Sequence, residues 1–203
     1  MIKLYFAPRT RSSRPRWMLE ELEVPYDMVR LDLAAKDHKK PEYLKIHPHG
    51  LVPALADGDT VLFESAGICM YLADKFPEKK MAPPLDSPER ALYCQWLAYA
   101  MTSVEPAAFT YFLHTVRLPE ERRDPREVSE SKEKMAACLE VLSNAIGKRE
   151  FLVGNHLTAV DVIMASLLNW VSALKMLEQA PANISTYLEN LRSRPAFRRS
   201  LQV

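Results

Sequence analysis

The segment FAPRTRSSRPRWMLEEL, residues 6–22, concentrates four arginines and three hydroxyl residues within positions 9–16. Arg9, Arg11, Arg14 and Arg16 are interleaved with Thr10, Ser12 and Ser13, directly ahead of an amphipathic helical pattern. Hydroxyl donors, guanidinium groups and the positive end of a helix all favour a negatively charged partner. The 203-residue chain has a formal net charge of +1, so any attraction for an anion must be local. That near-neutral total, with no recognisable binding module, argues against nucleic acid as the partner.

Other chemistries find little support. Cys69, Cys94 and Cys138 are odd in number, far apart and set in apolar stretches, as expected of buried free thiols in a reducing compartment. There is no CxxC pair for dithiol chemistry, and the five glycines cannot form a phosphate-cradling loop. Neither a GxSxG elbow nor an HExxH pair is present. His47 and His49 flank Pro48 without evident further ligands, so no metal is expected. No stretch reaches 18 uninterrupted apolar residues, and the N-terminus lacks a secretory pattern; a cytoplasmic location without a membrane partner is expected.

These residues need elements to hold them. Residues 3–6 form a strand before the basic turn, and Trp17, Met18 and Leu22 share the face of a helix. Met28, Val29, Leu31 and Leu33 suggest a second strand, and residues 38–46 a short irregular helix. LVPALADGDTVLF then predicts a hairpin about Asp57-Gly58, and Ile68, Leu72 and Phe76 a helix from Ser65 until Pro77. The order β-α-β-α-β-β-α implies a mixed sheet with a parallel pair and an antiparallel edge, as in a thioredoxin-like domain.

PEKKMAPPLDSP reads as a linker, after which strand signals cease. Ser87 and Pro88 can start a helix, Pro106 suggests a kink or break, and residues 117–130 look like a solvated connection. Met135, Leu139, Leu142 and Ile146 define another helix, and Val162 to Leu177 a strongly apolar one. Thr158 and Asp161 form a capping-box pattern, which makes Asp161 a structural residue. The fold class is therefore an α/β thioredoxin-like N-terminal domain followed by an all-α C-terminal domain.

LYFAPRTRSSRPRWMLEEL and HPHGLVPALADGDTVLFESAGICMYLADKFP resemble the cytosolic glutathione transferase family. FLVGNHLTAVDV and LRSRPAFRRSL extend the resemblance over nearly the whole chain, which is most similar to bacterial and fungal members with a hydroxyl residue after the first strand. It implies a glutathione-binding domain over residues 1–77, a linker over 78–87 and a helical domain over 88–203 contributing the electrophile site. It also implies a homodimer, with glutathione as co-substrate and a small hydrophobic electrophile as partner, in detoxification. Conjugation is the default activity, and peroxide reduction or dehalogenation would use the same thiolate. The alternative is a glutathione-binding interaction protein with little turnover.

A thiol with a pKa of about 8.5 is mostly protonated at neutral pH, so such an enzyme must favour the thiolate. The resemblance places Thr10 where serine usually contacts the sulfur, with Arg11 as an electrostatic aid and Ser12 as a second candidate donor. It matches Pro53 to a cis-proline and the Val52 backbone to the contact with the cysteinyl part of glutathione. Glu64 and Ser65 match the γ-glutamyl site and His38 the glycyl end, while Leu51 stands where many members carry lysine. The electrophile is expected between the turn at residues 10–13 and the first helices of the second half. Tyr99, Ser103, Phe109 and Tyr111 are candidate walls for it.

Overall fold

Alternating burial builds the first strand: Ile2, Leu4 and Phe6 are buried, whereas Lys3 is exposed. The computed structural model describes residues 1–202 and divides into two compact units. Met1–Ala82, joined by the segment that begins at Ser193, makes the first; Pro83–Arg192 makes the second.

In the first unit, β1 (Ile2–Phe6) leads through the basic turn into α1 (Ser13–Leu22) and then β2 (Tyr26–Arg30). β2 is shorter than expected, and Leu31 and Leu33 lie beyond it. The Leu31 amide still donates to the Phe6 carbonyl at 2.8 Å, but Asp32 then turns the chain. Its Oδ1 accepts from the amides of Ala34 and Ala35 at 2.8 and 3.0 Å, replacing strand pairing with a side-chain turn. A 3₁₀ turn at Asp37–Lys39 and the one-turn helix α2 (Pro41–Leu44) follow.

β3 (Ala54–Asp57) and β4 (Thr60–Phe63) form the expected hairpin, with Gly58 at φ +60° in its two-residue turn. The strand order is β2-β1-β3-β4, with β1 parallel to β2 and antiparallel to β3. α3 (Ser65–Lys75) ends where Pro77 approaches, and Lys75 and the Tyr71 hydroxyl both hold Asp57.

In the second unit, α4 (Pro88–Tyr99) continues without interruption through a π-helical turn at Ala100–Val104 into α5 (Glu105–Phe112). A second π-helical turn, Leu113–Arg117, completes this run. Pro106 therefore does not break the helix. It falls at the start of α5 just after the wider turn, where the missing N–H is accommodated. Ser87 occupies the N-cap position of α4 but donates its hydroxyl back to the Pro84 carbonyl at 2.8 Å. Asp124 caps α6 (Pro125–Ile146), so the expected solvated connection becomes helical at Pro125. Met135, Leu139, Leu142 and Ile146 are buried along α6.

α7 (Ala159–Ala173) begins with the capping box and stops four residues earlier than its apolar run, as Lys175 turns left-handed at φ +60°. Asp161 is buried and accepts from the amides of Leu152 and Thr158 and from the Tyr187 hydroxyl of α8 (Ala182–Arg192). α9 (Pro195–Leu201), expected within the 88–203 domain, instead packs on α1. Its Phe197 ring meets Trp17 edge-on at 4.8 Å, while Arg194 grips Glu21 with two bonds of 2.7 and 2.8 Å.

Candidate functional site

The turn after β1 is built around one carbonyl. Thr10 Oγ1 donates to the Ala7 oxygen at 2.7 Å, and Ser12 Oγ lies 2.8 Å from the same oxygen. Ser12 Oγ also accepts from the Ala7 amide at 3.1 Å and lies 2.6 Å from Thr10 Oγ1. Ser12 is fully buried and Thr10 half-buried. Two hydroxyl protons thus share one carbonyl. With the Ser12 proton on Ala7, the Thr10 proton can turn to an outside anion and exchange a neutral bond for a charge-assisted one. Ser12 sits at the N-cap position of α1 but makes no side-chain cap. Arg11 is exposed beside Thr10.

No cysteine of the chain shares this turn. Cys69 is fully buried one turn into α3, and burial pushes its thiol up to about 12, against ionisation. A reactive sulfur here has to arrive with a ligand.

Arg14 and Arg16, two of the four arginines of the basic turn, are both buried. Arg16 lies over the Phe6 ring at 5.1 Å. Arg14 Nη1 donates to Ser65 Oγ at 3.1 Å, tying the basic turn to the start of α3. The available signal was positional: Arg14 precedes Trp17 and Met18 by three and four residues, on their helical face.

Ser65 is buried at the first position of α3. Glu64 before it has φ +73° and ψ 112°, a conformation that side chains other than glycine rarely adopt. This positive φ marks a position that the surroundings over-determine, as at binding sites. The Val52-Pro53 peptide is cis.

The segment carrying His38 is bound to the loop before Pro53. Lys39 Nζ donates to the His49 carbonyl at 2.9 Å, and the Tyr43 hydroxyl donates to the Leu51 carbonyl at 2.6 Å. Gly50, at φ +57°, passes so close that an added Cβ would stand 2.4 Å from the His38 carbonyl oxygen. His38 Nδ1 is buried without a protein partner. His47 is buried against Phe63, with ring centroids 4.8 Å apart, and burial pushes its pKa down. Among the described residues, no group of three or more His, Cys, Asp or Glu side chains is arranged to hold a metal ion.

The candidate wall residues lie in the second unit. Tyr99 reaches the Cys138 carbonyl at 3.5 Å, and burial raises its pKa. Ser103 falls in the first π-helical turn, half-buried. Phe109 and Tyr111 stand two residues apart on α5, about 200° round the helix, and so do not line one wall. Lys132 lies over the Tyr111 ring at 5.8 Å, while Phe109 is exposed.

A four-stranded mixed sheet bearing a hydroxyl cluster, followed by an all-helical unit, defines a thioredoxin-like transferase architecture. Residues 1–74 match the model of the glutathione S-transferase N-terminal domain, and residues 97–195 that of the C-terminal domain. The chain belongs to the glutathione S-transferase family. It is 33% identical to glutathione S-transferase F10 of Arabidopsis thaliana over 80% of this chain and 77% of that one. Glutathione transferase F7 of Populus trichocarpa superimposes with TM-score 0.86 at 25% identity, covering all of both chains. A Pseudomonas fluorescens family member solved with two glutathione molecules bound gives TM-score 0.86 at 26% identity, covering 98% of this chain and 92% of that one. Among the described residues, no helix is long and apolar enough to cross a membrane.

Proposed function

We propose that this glutathione transferase activates glutathione through Thr10, whose hydroxyl donates to the sulfur and holds it as thiolate. The thiol proton passes to solvent. The thiolate then forms a carbon–sulfur bond with a small hydrophobic electrophile, whose leaving group departs with the electron pair of the broken bond. Arg11 adds positive potential beside the sulfur, and Ser12 keeps the Thr10 hydroxyl in place. The Val52 backbone beside Pro53 pairs with the cysteinyl part of glutathione. Ser65 and Glu64 take the carboxylate and amino group of the γ-glutamyl end, and His38 takes the glycyl end. The protein acts as a cytoplasmic homodimer in detoxification, as the family resemblance implies, with the first domain over residues 1–77 and the helical domain beginning at residue 88, α9 returning to the first.

The observation that carries this reading is the shared Ala7 carbonyl, which Ser12 alone can satisfy while Thr10 turns outward. A hydrogen bond to a charged group is worth about 1.5–3 kcal/mol, or about one to two pKa units. Ultraviolet titration of bound glutathione should therefore give a thiol pKa about one unit higher in Thr10→Val, with glutathione affinity within about threefold. An unchanged titration would remove Thr10 from the chemistry. Turnover of an aromatic halide by the parent protein separates this enzyme from a binding protein without activity.

A further inference from the structure

An open cleft of about 550 Å³ lies in the first unit, outside the carboxyl ends of the parallel strands β1 and β2. The volume is in the range of about 300–1,000 Å³ usual for small-ligand pockets. Ala7, Pro8, Leu31, Leu33 and Ala34 give it apolar walls. Ala7 belongs to both structures: it lines the cleft, and its carbonyl holds the hydroxyls of Thr10 and Ser12.

Three charged residues complete the lining. Asp32 and Asp37 are committed to the loop itself. Asp32 Oδ1 binds two loop amides, while Asp37 accepts from the Asp32 amide at 2.9 Å and pairs with Lys40 at 2.7 Å. Arg30 is the single cation of the lining, exposed at the end of β2 and paired in register with Phe6, the residue before Ala7. Among the described residues its guanidinium has no ion-pair partner.

We propose that the electrophile, with its reacting carbon at the Thr10 turn, extends its far end into this cleft, and that Arg30 selects substrates carrying a carboxylate opposite that carbon. The apolar body rests on Leu31, Leu33 and Pro8, which directs the reacting carbon toward Ala7 and the Thr10 turn. The proposal rests on the thiolate reading above, because it assigns the second substrate of the same sulfur.

The test begins with binding, which needs no turnover. The probes are 3-nitrobenzoate and its methyl ester, neither of which has a leaving group for substitution. Calorimetry on the full chain saturated with glutathione should show the acid bound about fivefold more tightly than the ester, the scale of one exposed charge pair. Arg30→Gln should bring that ratio to about one, and Ala34→Phe, which fills the cleft, should weaken both probes. Equal binding of acid and ester by the parent protein, or a preference that survives Arg30→Gln, overturns the role of Arg30. Indifference of both probes to Ala34→Phe overturns the cleft.

With 4-chloro-3-nitrobenzoate the thiolate displaces chloride, which leaves with the carbon–chlorine electron pair as the carbon–sulfur bond forms. The acid-over-ester ratio in kcat/KM should follow the binding ratio and fall about fivefold in Arg30→Gln. The predicted binding pattern without turnover supports the cleft and fails the thiolate reading. Turnover that shows no acid preference fails the proposal alone.

Discussion

Arg14 donates to Ser65 across 51 residues of sequence, and both are buried. Because Ser65 accepts from the guanidinium, its own proton remains available to an incoming carboxylate, with a positive charge directly behind it. The helix after the basic turn and the helix after the hairpin therefore meet at the proposed γ-glutamyl site. Arg14→Gln should raise the KM for glutathione about tenfold while kcat changes less, since the contact is made to bound substrate before and during reaction. Equal losses in kcat and kcat/KM, with KM unchanged, would contradict this.

Ser12 and Thr10 differ in the consequence of losing a hydroxyl. Ser12→Ala strands the Ala7 amide in a buried position, which costs about 1–3 kcal/mol of stability. Without Ser12 the Thr10 proton can turn to the sulfur only by leaving the Ala7 carbonyl, so part of its bond to the thiolate is lost rather than all of it. Ser12→Ala should therefore lower the thermal midpoint, yet raise the thiol pKa of bound glutathione less than Thr10→Val does. The reverse order of the two pKa effects would make Ser12 the donor.

Acid stability should report on Asp57. The Lys75 ammonium and then the Tyr71 hydroxyl hold its carboxyl below the usual carboxylate range. A depressed folded pKa means the carboxylate contributes stability above the unfolded value, about pH 4, and loses it as pH falls through the folded value. The urea midpoint of the parent protein should fall below about pH 4, whereas Asp57→Asn should start lower at neutral pH and fall less steeply. Parallel pH profiles would show that the pair does not couple to folding.

The parts legible in the sequence are those that neighbouring residues dictate. Thr158 and Asp161 form their cap within four residues, and Gly58 fits the two-residue hairpin turn. Glu64-Ser65 and Val52-Pro53 were singled out by the resemblance, not by their neighbours. The burial of Arg14 was not legible, because its partner lies 51 residues away and charge alone says nothing of such a partner. Leu31 and Leu33 keep the strand period and extend the expected β2, while the Asp32 side chain captures the next amides. The cleft beside Arg30 comes from this interruption, which apolar alternation does not record.

The position of α9 was equally hidden, and it gives the final test. Phe197 shields Trp17, which is 1% exposed, and the Trp17 Nε1 donates to the same Glu21 that Arg194 grips. Phe197→Ala removes a buried aromatic ring, so it should cost about 3 kcal/mol. Arg194→Ala removes a partly exposed partner of a carboxylate that keeps its Trp17 bond, so it should cost only about 1 kcal/mol. In a background with Trp96 and Trp170 replaced by phenylalanine, Trp17 alone reports the contact. Its emission should shift to the red in Phe197→Ala under native conditions and much less in Arg194→Ala. An unshifted spectrum with undiminished stability in Phe197→Ala would show that α9 does not cover α1 in solution.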